Sequence, residues 1–133
     1  MSDLISQNLN MIFKTPKGET VHALKDLNFT LKQGELLTVL GPSGCGKTTL
    51  LNITAGFIRP TSGTITLNNK EIDGPGVERG MVFQQGALFE WLTVAENVNF
   101  GLRMKKKDPK ETQRKVDEWI EIVGLKVFED APT

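Results

Sequence analysis

The sequence is short of the features that mark secreted, membrane-spanning and nucleic-acid-binding proteins. Its single cysteine, Cys45, excludes an internal disulfide framework and suits a reducing compartment. The 16 basic and 16 acidic side chains cancel, so no net field attracts the chain to nucleic acid or anionic lipid. The apolar runs are far shorter than the roughly 20 residues needed to span a bilayer, and we expect no secretory signal. These absences predict a globular domain that reaches a membrane only through a protein partner.

The pattern of apolar residues predicts an α/β fold. The continuous apolar run at residues 36–40 is expected of a strand buried on both faces of a sheet, and residues 80–84 are a second short candidate for a buried strand. The other predicted strands are short and alternate with glycine- and proline-containing turns. They lie at residues 9–13, 27–31, 63–67 and 70–72, with turns at residues 15–18, 32–35 and 68–69.

Three segments carry helix signals. Residues 47–57 place apolar side chains at helical spacing. Thr93 and Glu96 have the spacing of a capping box, in which each side chain bonds the other's backbone amide. Asp108 and Pro109 fit the N-cap and first helical position of a further helix.

The helix after Asp108 has one apolar face, on which Trp119 is predicted to be a core residue. Gly124 is expected to end that helix. The lysines at residues 105–107 are expected to form a solvated turn before it.

A glycine-rich loop between the first buried strand and the first helix carries the clearest chemistry. It matches the pattern G-x-x-x-x-G-K-[ST], whose backbone amides converge on a β-phosphate and whose helix adds its positive end. The loop consists of Gly41, Pro42, Ser43, Gly44, Cys45, Gly46, Lys47 and Thr48.

Individual side chains of this phosphate loop (residues 41–48) have separate predicted tasks. Lys47 supplies charge to the β- and γ-phosphates, and the hydroxyl of Thr48 is a ligand for Mg²⁺. Thr49, the next residue, is placed to donate to the α-phosphate. Cys45 is either a small loop side chain or a thiol that alkylating reagents can reach. The loop therefore predicts binding of ATP with Mg²⁺.

A phosphate loop alone leaves the class of protein open. A P-loop kinase or other phosphotransferase would also need an acceptor site and an arginine-rich lid, and the sequence has neither feature. A nucleotide-binding module that does not hydrolyse ATP is a second alternative.

The residues around the loop resemble the ATP-binding cassette (ABC) ATPases, in order and with family spacing from about residue 5 onward. The segment GPGVERG at residues 74–80 resembles the nitrate/sulfonate/taurine importers in particular. The other matching segments are residues 23–27, 34–35, 50–52, 55–57, 60–65, 81–84, 88–89, 91–94 and 96–98.

The resemblance implies a P-loop fold with an antiparallel β subdomain and the start of a helical subdomain. It divides the chain into a β subdomain at residues 1–35 and 63–73 and a P-loop core at residues 36–57 and 80–85. The Q-loop and the start of the helical subdomain follow at residues 86–133.

The same resemblance implies roles for residues outside the phosphate loop. Gln84 takes the Q-loop position, where its amide contacts Mg²⁺ and the attacking water; Lys47 and Gln84 are thus the catalytic candidates. Phe13 either stacks on adenine or packs in the β subdomain. Residues 84–100 would receive a membrane permease, with Phe89 and Trp91 as interface anchors or as core residues.

The resemblance also implies an importer of a small anion such as nitrate, sulfonate or taurine, with two ATPase subunits on the inner face of the membrane. The family's signature motif, acidic second strand and switch histidine are not in the sequence, and His22 precedes the loop. We expect the signature a few residues beyond Thr133, and we expect this chain alone to bind ATP without useful turnover.

Overall fold

The computed structural model describes residues 3–105 and 108–133, which form two compact units. The first unit runs to Met81 and the second spans Val82–Thr133. Lys106 and Lys107, in the lysine run expected to form a turn, lie outside the described residues.

The first unit is built on a four-stranded antiparallel sheet with one helix. Its strands are β1 (Leu4–Lys14), β2 (Thr20–Leu31), β3 (Ser62–Leu67) and β4 (Lys70–Glu71), in the spatial order β2-β1-β3-β4. The helix α1 spans Lys47–Ala55, and Gly56, at φ 83°, ends it with two backbone bonds to the last turn. The strands predicted at residues 9–13, 27–31 and 63–67 lie within β1, β2 and β3, of which β1 and β2 are longer than predicted, and β4 ends one residue before the end of the strand predicted at residues 70–72.

The core of the first unit lies between α1 and the sheet. Leu50 and Ile53 from α1 pack with Leu9 of β1, Ile65 of β3 and Ile72, all of them buried. The spacing of Leu50 and Ile53 puts both side chains on one helix face. This packing fixes the axis of α1, and with it the direction in which the start of the helix points.

The strands predicted at residues 36–40 and 80–84 are wrong. Neither segment pairs with another strand in the part of the chain that the structure describes. Leu36 is 90% exposed and Val82 is 97% exposed. A parallel strand forms only when neighbours on its edges satisfy its backbone, and the described residues offer these two segments no such neighbour.

The second unit is a helical hairpin of α2 (Val94–Met104) and α3 (Pro109–Ile122), followed by a short 3₁₀ helix at Lys126–Phe128. Both predicted N-terminal caps are confirmed. Thr93 and Glu96 bond each other's backbone amides, and the Asp108 side chain accepts from the amides of Lys110 and Glu111. Gly124, at φ 71°, follows the last turn of α3 as predicted.

The apolar face of α3 is buried only in part. Val116 and Ile120 are almost fully buried, and they form the core of this unit with Thr112 beside them. Trp119 keeps 44% of its surface exposed, so its prediction as a core residue is wrong. Periodicity placed Trp119 on the flank of the apolar stripe, where a large ring is only partly covered.

Candidate nucleotide-phosphate site

The phosphate loop leads directly into the first turn of α1. Gly44 and Gly46 take positive φ angles of 80° and 94°, a region that favours glycine. Gly46 is the N-cap position of α1, and its carbonyl accepts the amide of Leu50 as the first helical bond. The loop thus turns tightly and delivers Lys47, Thr48 and Thr49 to the first helical turn.

Gly46 is also held against β2 by close contact. A Cβ atom added at Gly46 would lie 2.2 Å from the carbonyl oxygen of Ala23. Only a residue without a side chain allows the helix start to approach the strand this closely. The strand predicted at residues 36–40 does not form. The loop is instead supported by β2, through the contact of Gly46 with Ala23.

The start of α1 is arranged to attract an anion. The N-cap makes no side-chain hydrogen bond, and the first turn contains no acidic side chain. The first amides of a helix have no partner within the helix, and the macrodipole leaves partial positive charge there. With neither a side-chain cap nor a carboxylate, these amides can bond to phosphate oxygens.

The ammonium group of Lys47 lies across the loop. Its Nζ donates to the carbonyl oxygens of Gly41 at 2.7 Å and Pro42 at 2.6 Å, and lies 3.5 Å from Sγ of Cys45. The lysine therefore satisfies its three donors within the loop itself. These contacts hold its positive charge against the backbone of the loop.

The other predicted cofactor-binding residues of the loop are accessible. Pro42, Ser43 and Cys45 are exposed, and so is Thr48, whose hydroxyl can bind an ion from solution. Thr49 is half-buried on the next position of α1. Among the described residues no group of three or more His, Cys, Asp and Glu side chains could hold a metal ion.

Phe13 lies near the end of β1, in register with Val21 of β2. Val21 is two residues from Ala23, the residue that contacts Gly46, a separation of about 7 Å along a strand. The Phe13 side chain is 42% exposed, so it is not a core residue. Register and exposure place an available aromatic ring on the strand pair that supports the phosphate loop.

Gln84 belongs to the second unit, and its role stays a prediction. It is exposed and has no regular secondary structure. The phosphate loop and Phe13 both lie in the first unit, which does not include Gln84.

The surface predicted to receive a permease lies in the second unit, at the start of α2. The ring of Phe89 is 5.3 Å from that of Trp91 and 4.4 Å from that of Phe100, measured between centroids. Trp91 is 79% exposed, which excludes the core alternative for this residue. Phe89 is half-buried, and its ring contacts that of Trp91.

Sequence reasoning missed two residues that shape these regions. Ala23 supports the loop through its backbone oxygen, so no side-chain pattern could reveal it. Asn97 makes hydrogen bonds to the loop that carries Trp91, yet the sequence offered only its place after the capping glutamate.

No helix among residues 3–105 and 108–133 is long and apolar enough to cross a membrane.

Comparisons with known proteins agree on one family. The family described as ABC transporter matches residues 24–133. The chain is 84% identical, over its whole length and 50% of the relative, to a taurine import ATP-binding protein TauB of Pelagibacter ubique. It is 54% identical to the protein of that name in Jannaschia sp., over 98% of the chain and 48% of the relative. The chain thus spans about half the length of these relatives.

Solved structures give the same assignment. The dimeric post-hydrolysis structure of the ATP-binding cassette MJ0796, bound to ADP and Pi, aligns with a TM-score of 0.82 at 29% identity. The alignment covers 97% of this chain and 61% of that one. The predicted fold class and the resemblance are confirmed, and the chain belongs to the ABC transporter family.

Proposed function

We propose that this chain is the nucleotide-binding part of an ABC importer ATPase that binds ATP at residues 41–49. The transported substrate class is a small organic sulfonate, taurine being the compound in the names of similar proteins. Because the chain spans half of those relatives, hydrolysis and transport are functions of a longer protein or of an assembly. The alternative of a binding module without turnover describes the 133-residue chain alone.

The observation that carries this proposal is the uncapped, acid-free start of α1 with Lys47 folded over it. A β-phosphate bound to the loop would replace its hydrogen bonds from water with hydrogen bonds from the fixed backbone amides. The Lys47 ammonium would leave the carbonyls of Gly41 and Pro42 and pair with phosphate oxygens. The ammonium–carbonyl bonds pair a charge with a dipole, whereas phosphate oxygens carry negative charge, so Coulomb attraction favours the exchange toward the nucleotide.

Mg²⁺ fits the same site through Thr48, whose exposed hydroxyl lies one residue after Lys47. The ion held there would neutralise part of the charge on the phosphates. Thr49 is placed to donate to the α-phosphate, and Phe13 offers a flat apolar face to adenine. The amide of Gln84 is a further proposed ligand for the ion.

The partners proposed for the longer protein are a membrane permease and a second ATPase subunit. Residues 84–100 would receive the permease, which would hold the subunit at the inner face of the membrane. The exposed ring of Trp91, supported by Phe89, favours this role because aromatic anchors are enriched at protein interfaces.

Fluorescent-ATP titration tests the nucleotide site. Lys47→Ala should weaken Mg-ATP binding at least tenfold, since a charged hydrogen bond is worth roughly 1.5–3 kcal/mol. Lys70→Ala is the matched control, because Lys70 is an exposed lysine of β4 in the same unit. Equal affinities for the two variants would overturn the assignment of the phosphate loop.

Co-purification of the longer subunit with its permease tests the docking surface. Trp91→Ala should reduce the retained subunit, whereas Trp119→Ala, at a half-exposed tryptophan of the same unit, should not. Equal retention of both variants would contradict the proposed surface.

A further inference from the structure

Asn97, on the first turns of α2, is half-buried, and its side chain lies within hydrogen-bond distance of several neighbouring groups. Its Oδ1 accepts the amide of Phe89 at 2.9 Å. Its Nδ2 faces the carbonyl oxygens of Phe89 at 3.1 Å, Leu92 at 3.3 Å and Thr93 at 3.1 Å. One carboxamide therefore holds both ends of the short loop at residues 89–92, which carries Trp91.

The same carboxamide reaches the far end of the second unit. Its Nδ2, whose two hydrogens are shared among these acceptors, also lies 3.3 Å from the hydroxyl oxygen of Thr133. That hydroxyl lies 3.1 Å from the carbonyl oxygens of both Phe89 and Leu92, to which its proton can be donated. Asn97 and Thr133 thus both contact the carbonyl oxygens of Phe89 and Leu92.

Backbone bonds tie the rest of the 129–133 segment to the start of α2. The amide of Val94 donates to the carbonyl of Ala131 at 3.1 Å, and the amide of Ala95 donates to that of Glu129 at 2.9 Å. These are two of the first amides of α2, which lack helical acceptors. Lys126 donates to the Glu129 carboxylate at 2.6 Å, and this bond raises the pKa of Lys126.

We propose that Asn97 is a positioning residue that couples the 129–133 segment to the aromatic surface at Trp91. A displacement of Thr133 removes one of the two hydrogen-bonding partners of the loop carbonyls. The loop then moves, and it changes the position of Trp91 and its contact with Phe89. The functional consequence rests on the proposed permease docking at this surface. The coupling itself is a property of the second unit and requires neither ATP nor a permease.

The coupling is measurable in the 133-residue chain by nuclear magnetic resonance. Thr133→Val removes only the hydroxyl. It should speed amide exchange at Phe89 and Leu92, both within the loop, by on the order of tenfold, the worth of one net hydrogen bond. The indole N–H resonance of Trp91 should move with it. Thr112→Val is the matched control, because the hydroxyl of Thr112 bonds only the carbonyl of Asp108 within α3.

Asn97→Asp supplies the second variant. It keeps the acceptor for the Phe89 amide and puts a carboxylate oxygen against three carbonyl oxygens. It should shift the Trp91 resonance in the same direction as Thr133→Val. The double variant should add little to Asn97→Asp alone, because both act on the same contacts.

Two results would overturn the proposal. One is an unchanged Trp91 resonance and unchanged loop exchange in Thr133→Val. The other is fully additive effects of the two substitutions. Failure of the permease co-purification test, with these couplings intact, would instead remove the docking surface and leave the positioning role of Asn97 standing.

Discussion

Substituting alanine at Gly46 should separate two costs that the phosphate loop avoids by using glycine. Gly44 and Gly46 both have positive φ, so alanine at either costs roughly 1–2 kcal/mol of backbone strain. At Gly44 the added Cβ meets nothing within 4 Å, whereas at Gly46 it would lie 2.2 Å from the Ala23 carbonyl oxygen. Overpacking of this kind costs about 1–3 kcal/mol more.

Gly46→Ala should therefore destabilise the first unit by about 1–3 kcal/mol more than Gly44→Ala. Native-state amide exchange of β1, which contains the fully buried Leu9, reports the stability of the first unit. ATP binding should fall further in Gly46→Ala, because the strand must release the start of α1. Equal loss of protection in the two variants would show that β2 does not support the loop.

Three further predictions concern ligands and caps. Phe13→Ala should weaken ATP by more than it weakens inorganic triphosphate, by about 1–3 kcal/mol if the ring stacks on adenine; equal losses in calorimetric titrations of the two ligands would assign Phe13 a structural role only. Thr48→Ala should weaken ATP binding mainly when Mg²⁺ is present, whereas Thr48→Ser, which keeps the hydroxyl, should not; identical Mg²⁺ dependence in both would remove Thr48 as a ligand. Asp108→Ala should destabilise α3 by about 0.5–2 kcal/mol, because the carboxylate accepts from the amides of Lys110 and Glu111; an unchanged urea midpoint of the helical circular dichroism signal would contradict that cap.

Local signals in the sequence carried the parts of the fold that depend on neighbours along the chain. The turn at Asn68 and Asn69 was predicted because asparagine tolerates the positive φ angles that the hairpin requires, and both residues adopt them. The caps at Thr93 and Asp108 were predicted because they need only the next three residues. The phosphate loop and α1 follow from the same local chemistry.

What the sequence could not predict depends on distant partners. The apolar run at residues 36–40 indicates that these side chains suit a buried strand, but it does not supply the strand that would pair with them. The support of Gly46 by the Ala23 carbonyl is a backbone contact over 23 residues. The contacts of Asn97 with Thr133 span 36 residues and involve an amide whose sequence setting resembles any helix surface.

The roles of individual site residues follow the same division. Lys47 and Thr48 could be assigned because their spacing fixes their place on the first turn of α1. The sequence left open whether Trp91 is a core residue, and only its exposure in the fold excludes that alternative. The role of Gln84 rests on the resemblance alone and stays a prediction.

The central claim is that this chain binds nucleotide through residues 41–49 but lacks the groups that hydrolyse it. ATP binding and phosphate release, measured on the same sample beside a Lys47→Ala control, test the claim most directly. The chain should bind Mg-ATP and release phosphate no faster than the control, even at raised protein concentration. A longer chain that carries the missing signature and acidic strand should hydrolyse ATP, more steeply with concentration because two subunits must meet. Steady phosphate release from the 133-residue chain, absent in the control, would contradict the account and reopen the phosphotransferase alternative.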